Sequence, residues 1–474
     1  MINRRQLISR AGLLAAGSLL PLGLRAADSS LDVVVIGAGL SGLYAAEQLE
    51  AAGLKVQVLE ARQRIGGRVY TMDDVPGRPE AGGQTVGPTY GRFIFSALKH
   101  GVELETLDFG KGSEPVPQIM DIAGQRLMPA DWPTSPLNPL PEALKQLPPD
   151  QALLQLLGDT PFASADDWAK PSFFHLDRSL GEFLREQGVS DPAVELLGVN
   201  NNYGRTLDET SLLFMLRVKA LLLKGFSTPG GYKVVVGGNQ RLPEAMAAAL
   251  ATPVLQGKVV KSIARDGEGM QVLCEDGTAF RARYVLCTLP LPALAAIEIS
   301  PGLPQLQAEA AQNVAYGKVT QLHLRVTAPF WKGVGFMPNI WSDGPIERVF
   351  ATDPEKTGQI TNLTIWINGK GAERYEGMAP EALQAAVMAQ FYKAMPEAKG
   401  AVEVSKVWSW QDSRFSGGSF AVWRPGQIAR YASALAEPHG NLFFAGEHTA
   451  TWASGMEGAL ESGERAAGEI ISRI

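Results

Sequence analysis

The chain reads as an α/β protein in which a parallel, nucleotide-binding type of sheet is interleaved with a second domain of mixed α+β character. Three features of the sequence carry that reading. A β-branched run, Val33-Val34-Val35-Ile36, breaks into Gly37-Ala38-Gly39-Leu40-Ser41-Gly42, and a helical stretch and a second apolar run, Val56-Gln57-Val58-Leu59, follow it. Strand, helix and strand in that order make a parallel pair buried on both faces. The same texture returns far down the chain, at 234–240, 284–290 and 441–450. Between those returns the texture changes to Pro-rich segments and amphipathic helical patterns. The division expected is 31–89, 231–290 and 426–474 for the first domain, with 90–230 and 291–425 for the second.

The glycines of the first turn each do something that a side chain would obstruct. Gly37 allows the tight turn, Gly39 lets a pyrophosphate approach the backbone, and Gly42 lets helix and strand pack closely. The N-terminus of the helix offers free N–H groups and the positive end of its dipole to phosphates. Glu60 ends the second strand 18 residues after Gly42, close to the spacing at which an acid accepts hydrogen bonds from an adenosine ribose. This context turns a weak glycine pattern into a dinucleotide site; the competing reading is a glycine-rich turn that only packs a helix on a sheet.

A chain of 474 residues is too long for one ordinary core, and 45% hydrophobic with 19% charged residues is the composition of a folded protein. A net charge of −6 with no long basic run argues against nucleic acid as the main partner and suits a cationic substrate. At the start, Asn3-Arg4-Arg5-Gln6-Leu7-Ile8 precedes an uncharged run of 14 residues, 11–24, and the small pair Ala26-Ala27. This resembles a bacterial twin-arginine signal over residues 1–27, a route that exports folded, cofactor-loaded proteins to the periplasm. An uncleaved anchor is the alternative, though the run is short for a bilayer. Cys274 and Cys287 flank an Asp276-Gly277 turn; a hairpin closing there sets Cys274 opposite Ala279, so both are expected as buried thiols. The five histidines show no metal-ligand spacing, and no metal site is expected.

After Glu60 comes Ala61-Arg62-Gln63-Arg64-Ile65-Gly66-Gly67-Arg68, a second glycine loop whose guanidinium groups can meet phosphate. With Leu59 and Glu60 in front, this segment resembles the extended fingerprint of the FAD-dependent amine oxidases (monoamine, polyamine and L-amino-acid oxidases and their dehydrogenase relatives). The resemblance implies FAD, and it assigns parts along the chain. Gly82-Gly83-Gln84-Thr85 corresponds to the loop under the flavin rings, Val260 to a backbone contact on the adenine side, and Gly446-Glu447 to the ribityl-phosphate region. Gly455-Met456 opens a helix aimed at the pyrimidine edge, where a helix N-terminus stabilises the negative charge of reduced flavin.

At the reactive end the chain departs from its relatives. Aligned on Phe330-Trp331, the family's lysine near flavin N5 corresponds to Gln321, and Lys318 falls on the opposite strand face. Ser419 stands where monoamine oxidases carry the cysteine bonded to flavin, so FAD is expected to be non-covalent. Phe420 matches one aromatic wall beside the substrate amine; a core-packing role competes with it. The second wall is missing at Gly455, and Trp452 could fill the gap from a shifted position. Asn200-Asn201-Asn202-Tyr203-Gly204 reads as a cavity lining or as a hydrogen-bonded loop. Arg92 and Arg205 are candidates for a substrate carboxylate only by following glycine-rich loops. The activity implied is hydride transfer from an amine's α C–H to N5, with hydrolysis of the imine and reoxidation by O2 or an electron carrier. A desaturase on an apolar substrate and a non-catalytic FAD-binding protein are the alternatives.

Overall fold

In the computed structural model the described residues are 26–107, 118–333, 337–352 and 359–474. The arginine pair and the apolar run of the N-terminal segment lie outside them.

The Val33–Ile36 run forms the buried end of a strand, Ala26–Ile36, that pairs in parallel with Val56–Leu59 on one side and Ala279–Cys287 on the other. The seven-stranded sheet runs in the order Glu298–Ser300, Val260–Asp266, Gly269–Cys274, Ala279–Cys287, Ala26–Ile36, Val56–Leu59, with Leu442–Phe444 paired to the far end of Ala279–Cys287. Side chains alternate between two cores as the pleat requires. Val33, Val35, Leu286 and Phe443 face the first helix (Leu40–Ala51) and the last (Gly455–Ile471), whereas Val34, Ile36, Val285 and Phe444 face a second cluster with Trp423 and Tyr431. First and last helices touch closely: a Cβ on Gly463 would lie 2.4 Å from the Ser41 carbonyl oxygen.

The second seven-stranded sheet runs Val402–Ser409, Val319–Val326, Asn362–Asn368, Arg348–Thr352, Ile340–Ser342, Ile119–Ile122, Gln125–Leu127. Leu322, Leu324, Ile365 and Ile367 pack one face against the Pro380–Ala394 helix. The other face carries Val319 and Gln321 toward the first domain, where Val319 meets Met72, Ala81 and Trp410. A helical layer built from Leu180–Glu186, Asp191–Leu197 and Leu212–Ser227 closes over this, with Ser179 and Ser211 capping two of its helices through their hydroxyls.

Two boundaries move. The Gly91–Lys99 helix packs in the first core and Leu104–Thr106 pairs with Lys233–Val235, while Glu298–Ser300 extends the first sheet, so 90–107 and 291–300 lie with the nucleotide-type sheet. The hairpin register also differs by one residue: Leu273 pairs with Ala279, and the Cys274 amide donates to the Thr278 carbonyl, because Glu275 joins Asp276 and Gly277 in the turn. Both cysteines are buried free thiols. Among the described residues no helix is long and apolar enough to cross a membrane.

Candidate active site

One elongated cavity of about 610 Å³ runs between the two sheets. Its outer end is bounded by Glu60, Lys258, Val259, Val260 and Lys261, and its inner end by Gln321, Trp366, Trp410 and Phe420.

At the outer end the backbone does the shaping. Gly39 caps the first helix in an extended conformation with no side chain bonded to the free N–H groups, and no acid occupies the first turn. Those donors are left for a ligand. A Cβ added at Gly39 would find no protein atom nearer than 4.0 Å, so the surface over it is open, whereas at Gly42 it would lie 2.0 Å from the Gly37 oxygen. Gly42 therefore serves packing and does not reach the cavity. Ala38 does not reach it either: its methyl lies in the core and its N–H is donated to Glu60 Oε2 at 2.9 Å. Glu60 also accepts from the Arg62 amide at 2.9 Å, which fixes a buried carboxylate at the cavity wall. Gly37, Leu40, Ser41, Ala61, Arg62, Gly66, Gly67 and Arg68 line the same stretch.

The two arginines of the second loop are committed differently. Arg62 donates to the hydroxyls of Ser413 and Ser416 at 3.0 and 2.8 Å. Burial holds its pKa below the ordinary value, with Glu60 opposing. Arg68 donates to Glu447 Oε1 at 2.8 Å and to the Ser419 carbonyl at 3.0 Å, tying three distant segments together. Burial works against its charge, and Glu447 together with Tyr316 more than offsets that, so its pKa rises. Arg64, unassigned from sequence, donates to the Gly67 carbonyl at 2.7 Å and stacks on Tyr70, which sets the loop's shape.

In the middle of the cavity lie Gly82, Gly83, Gln84, Thr85, Gly446, Glu447, Gly455 and Met456. The last helix begins here with no side chain bonded at its cap, Ser454. Its free end is thus available to a polar group in the cavity.

The inner end has a different make-up. Gln321 is buried, donates from Nε2 to the Ala81 carbonyl at 3.2 Å, and meets His323 Nε2 through Oε1 at 3.0 Å. Burial, then Lys406, pushes His323 down to about 4, so the pair is uncharged at neutral pH. Trp410 donates to the same Ala81 carbonyl at 2.6 Å. Phe420 stands 6.1 Å from Tyr203, and both line the cavity, although Phe420 also packs against the second core. Lys318 pairs with Glu373 and Glu376 and is not a lining residue.

Trp452 is the correction. It is 56% exposed and does not line the cavity. The loop before the last helix is held from two sides: Arg217 donates to the Ala450 and Ala453 carbonyls at 3.2 and 2.6 Å, and Glu461 accepts from the amides of Thr451, Trp452 and Ala453. With the backbone fixed in that way, the indole projects outward. Of the asparagine cluster, Asn202 and Tyr203 line the cavity, while Asn201 bonds Thr210 and Asn200 bonds Glu347. Arg92 pairs with Glu457 and Glu464, and Arg205 with Glu209 and Glu373, so neither is placed for a carboxylate. Tyr90, Trp366 and Trp410 had no sequence signal, since nothing local distinguishes a lining aromatic from a core one. Among the described residues no cluster could hold a metal ion.

Comparison with known proteins agrees with this geometry. A family model described as flavin containing amine oxidoreductase matches residues 40–471. The chain is 29% identical over 469 residues to amine oxidase [flavin-containing] B of Cavia porcellus, covering 94% of this chain and 87% of that one. It is 27% identical to amine oxidase [flavin-containing] of Danio rerio, covering 94% and 86%. Cyclohexylamine oxidase from Brevibacterium oxydans superposes with a TM-score of 0.73 at 25% identity, over 94% of this chain and 99% of that one. Putrescine oxidase bound to putrescine shares the fold, with a TM-score of 0.75 at 24% identity, 94% and 99% covered. The open surface over Gly39, the uncapped helix ends and the buried Glu60 fit a dinucleotide, and no cysteine is among the described lining residues; the Ser419 hydroxyl there donates to the Gly317 carbonyl. The chain belongs to the flavin-containing amine oxidoreductase family, and it is an oxidoreductase whose cofactor is non-covalently held FAD.

Proposed function

We propose that the protein oxidises an amine whose non-reacting part carries no charge. The observation that carries this reading is the inner end of the cavity. Its described lining residues there are Tyr90, Asn202, Tyr203, Gln321, Trp366, Trp410 and Phe420, none of them acidic or basic. A second ammonium group would want a carboxylate at that end, and an amino-acid carboxylate would want a guanidinium, because an unpaired charge in a desolvated pocket is costly. Aromatic faces instead suit one amine nitrogen attached to an apolar or aromatic body.

FAD, when bound, would supply the two-electron acceptor for the hydride of the amine's α carbon, and water would then hydrolyse the imine to a carbonyl and ammonia or a smaller amine. The protein's own residues bind and orient. Phe420 and Tyr203 confine the amine, the Gln321–His323 pair presents a neutral amide on the cavity wall, and Trp410 and Gln321 hold the Ala81 carbonyl ahead of the Gly82-Gly83 loop. With Gln321 in place of a lysine, no ammonium stands on that wall among the described residues. We assign reoxidation to O2 or to an electron carrier, and location to the periplasm by the twin-arginine route.

The deciding experiment is anaerobic bleaching of the bound flavin by a panel of amines. Cyclohexylamine or benzylamine should reduce it faster than putrescine or phenylalanine; failure of every amine overturns the reading. Oxygen uptake measured against a dye acceptor separates oxidase from dehydrogenase. Loss of export on replacing Arg4 and Arg5 by Lys tests the route.

A further inference from the structure

Position 455 lacks a side chain, and the structure shows what occupies the space. A Cβ built on Gly455 would lie 3.4 Å from the hydroxyl oxygen of Tyr90. On its other side the Tyr90 ring lies against Gly87, where a Cβ would sit 3.3 Å from two ring carbons. The phenol is thus bracketed by two glycines, and a larger residue at either would crowd it. Tyr90 lines the cavity with Tyr203, Phe420 and Met456.

Its placement is fixed from the last helix. Tyr90 precedes the Gly91–Lys99 helix, and the first amides of that helix, on Arg92 and Phe93, donate to the Glu457 carboxylate at 3.0 and 3.1 Å. Glu457 stands in the first turn of the Gly455–Ile471 helix. One buried carboxylate therefore sets the phenol in register with the helix end that borders the reactive part of the cavity. The Tyr90 hydroxyl has no hydrogen-bond partner among the described residues, although it lies against an apolar cluster. Burial first, and then Glu457, pushes its pKa up to about 12, which keeps the O–H protonated. A hydroxyl that faces the cavity without a described protein partner is free to bond a polar group that enters it.

We propose that Tyr90 is a specificity-determining residue: its phenol takes the place of the missing side chain at 455 and its hydroxyl pairs with the substrate nitrogen. This rests on the amine reading above. The test uses FAD-loaded wild type, Tyr90→Phe and Tyr90→Leu. Each is titrated with 2-phenylpropan-2-amine, an amine with no α C–H to give up, and binding is read from the visible spectrum of the oxidised flavin. The Phe variant should bind it about tenfold more weakly, the equivalent of one hydrogen bond from the phenol to the neutral amine nitrogen, and the Leu variant more weakly still. FAD retention and melting temperature should match wild type in the Phe variant. Selectivity for benzylamine over methylamine, as a ratio of kcat/KM, should fall only in the Leu variant, which loses the ring. If wild type binds or is reduced by amines and both variants match it, this proposal alone falls. If the wild-type flavin responds to no amine at all, both readings fall.

Discussion

The two ends of the cavity are built by different means. The outer end is a backbone construction: glycines clear the approach, helix ends supply donors, and charged side chains are held in pairs and triads such as Glu60 with the Ala38 and Arg62 amides. The inner end is a side-chain construction, uncharged and largely aromatic, assembled from Tyr90, Tyr203, Gln321, Trp366, Trp410 and Phe420 on elements scattered along the chain. A diphosphate is one fixed group, so a local backbone motif suffices for it. Substrates differ, and side chains on separate elements can change one at a time without disturbing the cofactor.

The largest effect should come from crowding the backbone part. At Gly82 a Cβ would lie 1.8 Å from the Arg68 carbonyl oxygen and 3.3 Å from Trp410, so no rotamer relieves it. Gly82→Ala should cost about 3 kcal/mol or more and release FAD, read as a lower melting temperature and free flavin in the filtrate. A variant that keeps both would show that the loop beside Arg68 is less rigid than the packing implies.

Next is a pH effect that belongs to the inner end. His323 is buried neutral with its pKa near 4, against an unfolded value near 6.5. A depressed pKa contributes stability that is complete above the unfolded value and lost as pH falls through the folded one. From pH 6.5 down to 4 this amounts to about 3 kcal/mol. The carboxyls of Glu80 and Glu347, both raised to about 7 by burial, act in the opposite sense, so the wild-type profile is a sum. Comparing His323→Gln with wild type isolates one part: the melting temperature of the variant should fall less between pH 6.5 and 4. Parallel profiles would mean that His323 titrates normally.

The outer end was legible from sequence because its parts are local. Strand, glycine turn, helix and acid fall within residues 33–60, and each has a backbone reason that survives without tertiary information. The alternation of Val33 through Ile36 between two cores follows from the same run. Gln321 was named through the family resemblance, aligned on Phe330-Trp331, and strand alternation accounts for its lying on the face away from Leu322 and Leu324. Tyr90 and Trp366 were not, because a cavity wall is defined by which elements meet, and 203, 366 and 420 meet only after both sheets have formed. Trp452 misled for a related reason: the wall missing at Gly455 suggested a shifted aromatic, while its direction follows from the clamp on its loop by Glu461 and by Arg217, the latter far off in sequence. Domain edges slipped where a short element, Glu298–Ser300, joined a sheet that its composition does not mark.

At the outer end a smaller effect is expected from Glu60→Gln. One amide oxygen can serve either the Ala38 or the Arg62 N–H, and the other donor is left facing an NH2 group. The loss should be about 2 kcal/mol in FAD affinity, roughly 30-fold, with the rate of flavin reduction by a saturating amine unchanged. A change in that rate instead would mean that the two ends are coupled, contrary to the division drawn above.

The smallest effect sharpens the inner end by exclusion. Trp452 shares its loop with carbonyls and amides that are fully engaged by Arg217 and Glu461, yet its own indole is 56% exposed. Trp452→Ala removes neither a core contact nor a lining group, so stability should change by less than about 0.5 kcal/mol, and kcat/KM for the best amine should stay within about twofold. Breaking the clamp is a different matter. Arg217 is buried against the Trp168 ring at 3.8 Å, with its pKa lowered to about 10 by burial, and Arg217→Met would free two carbonyls beside the start of the last helix. If Trp452→Ala alone slowed amine oxidation as Tyr90→Leu should, the indole would have to turn inward when substrate binds, and the aromatic wall would be shared between them.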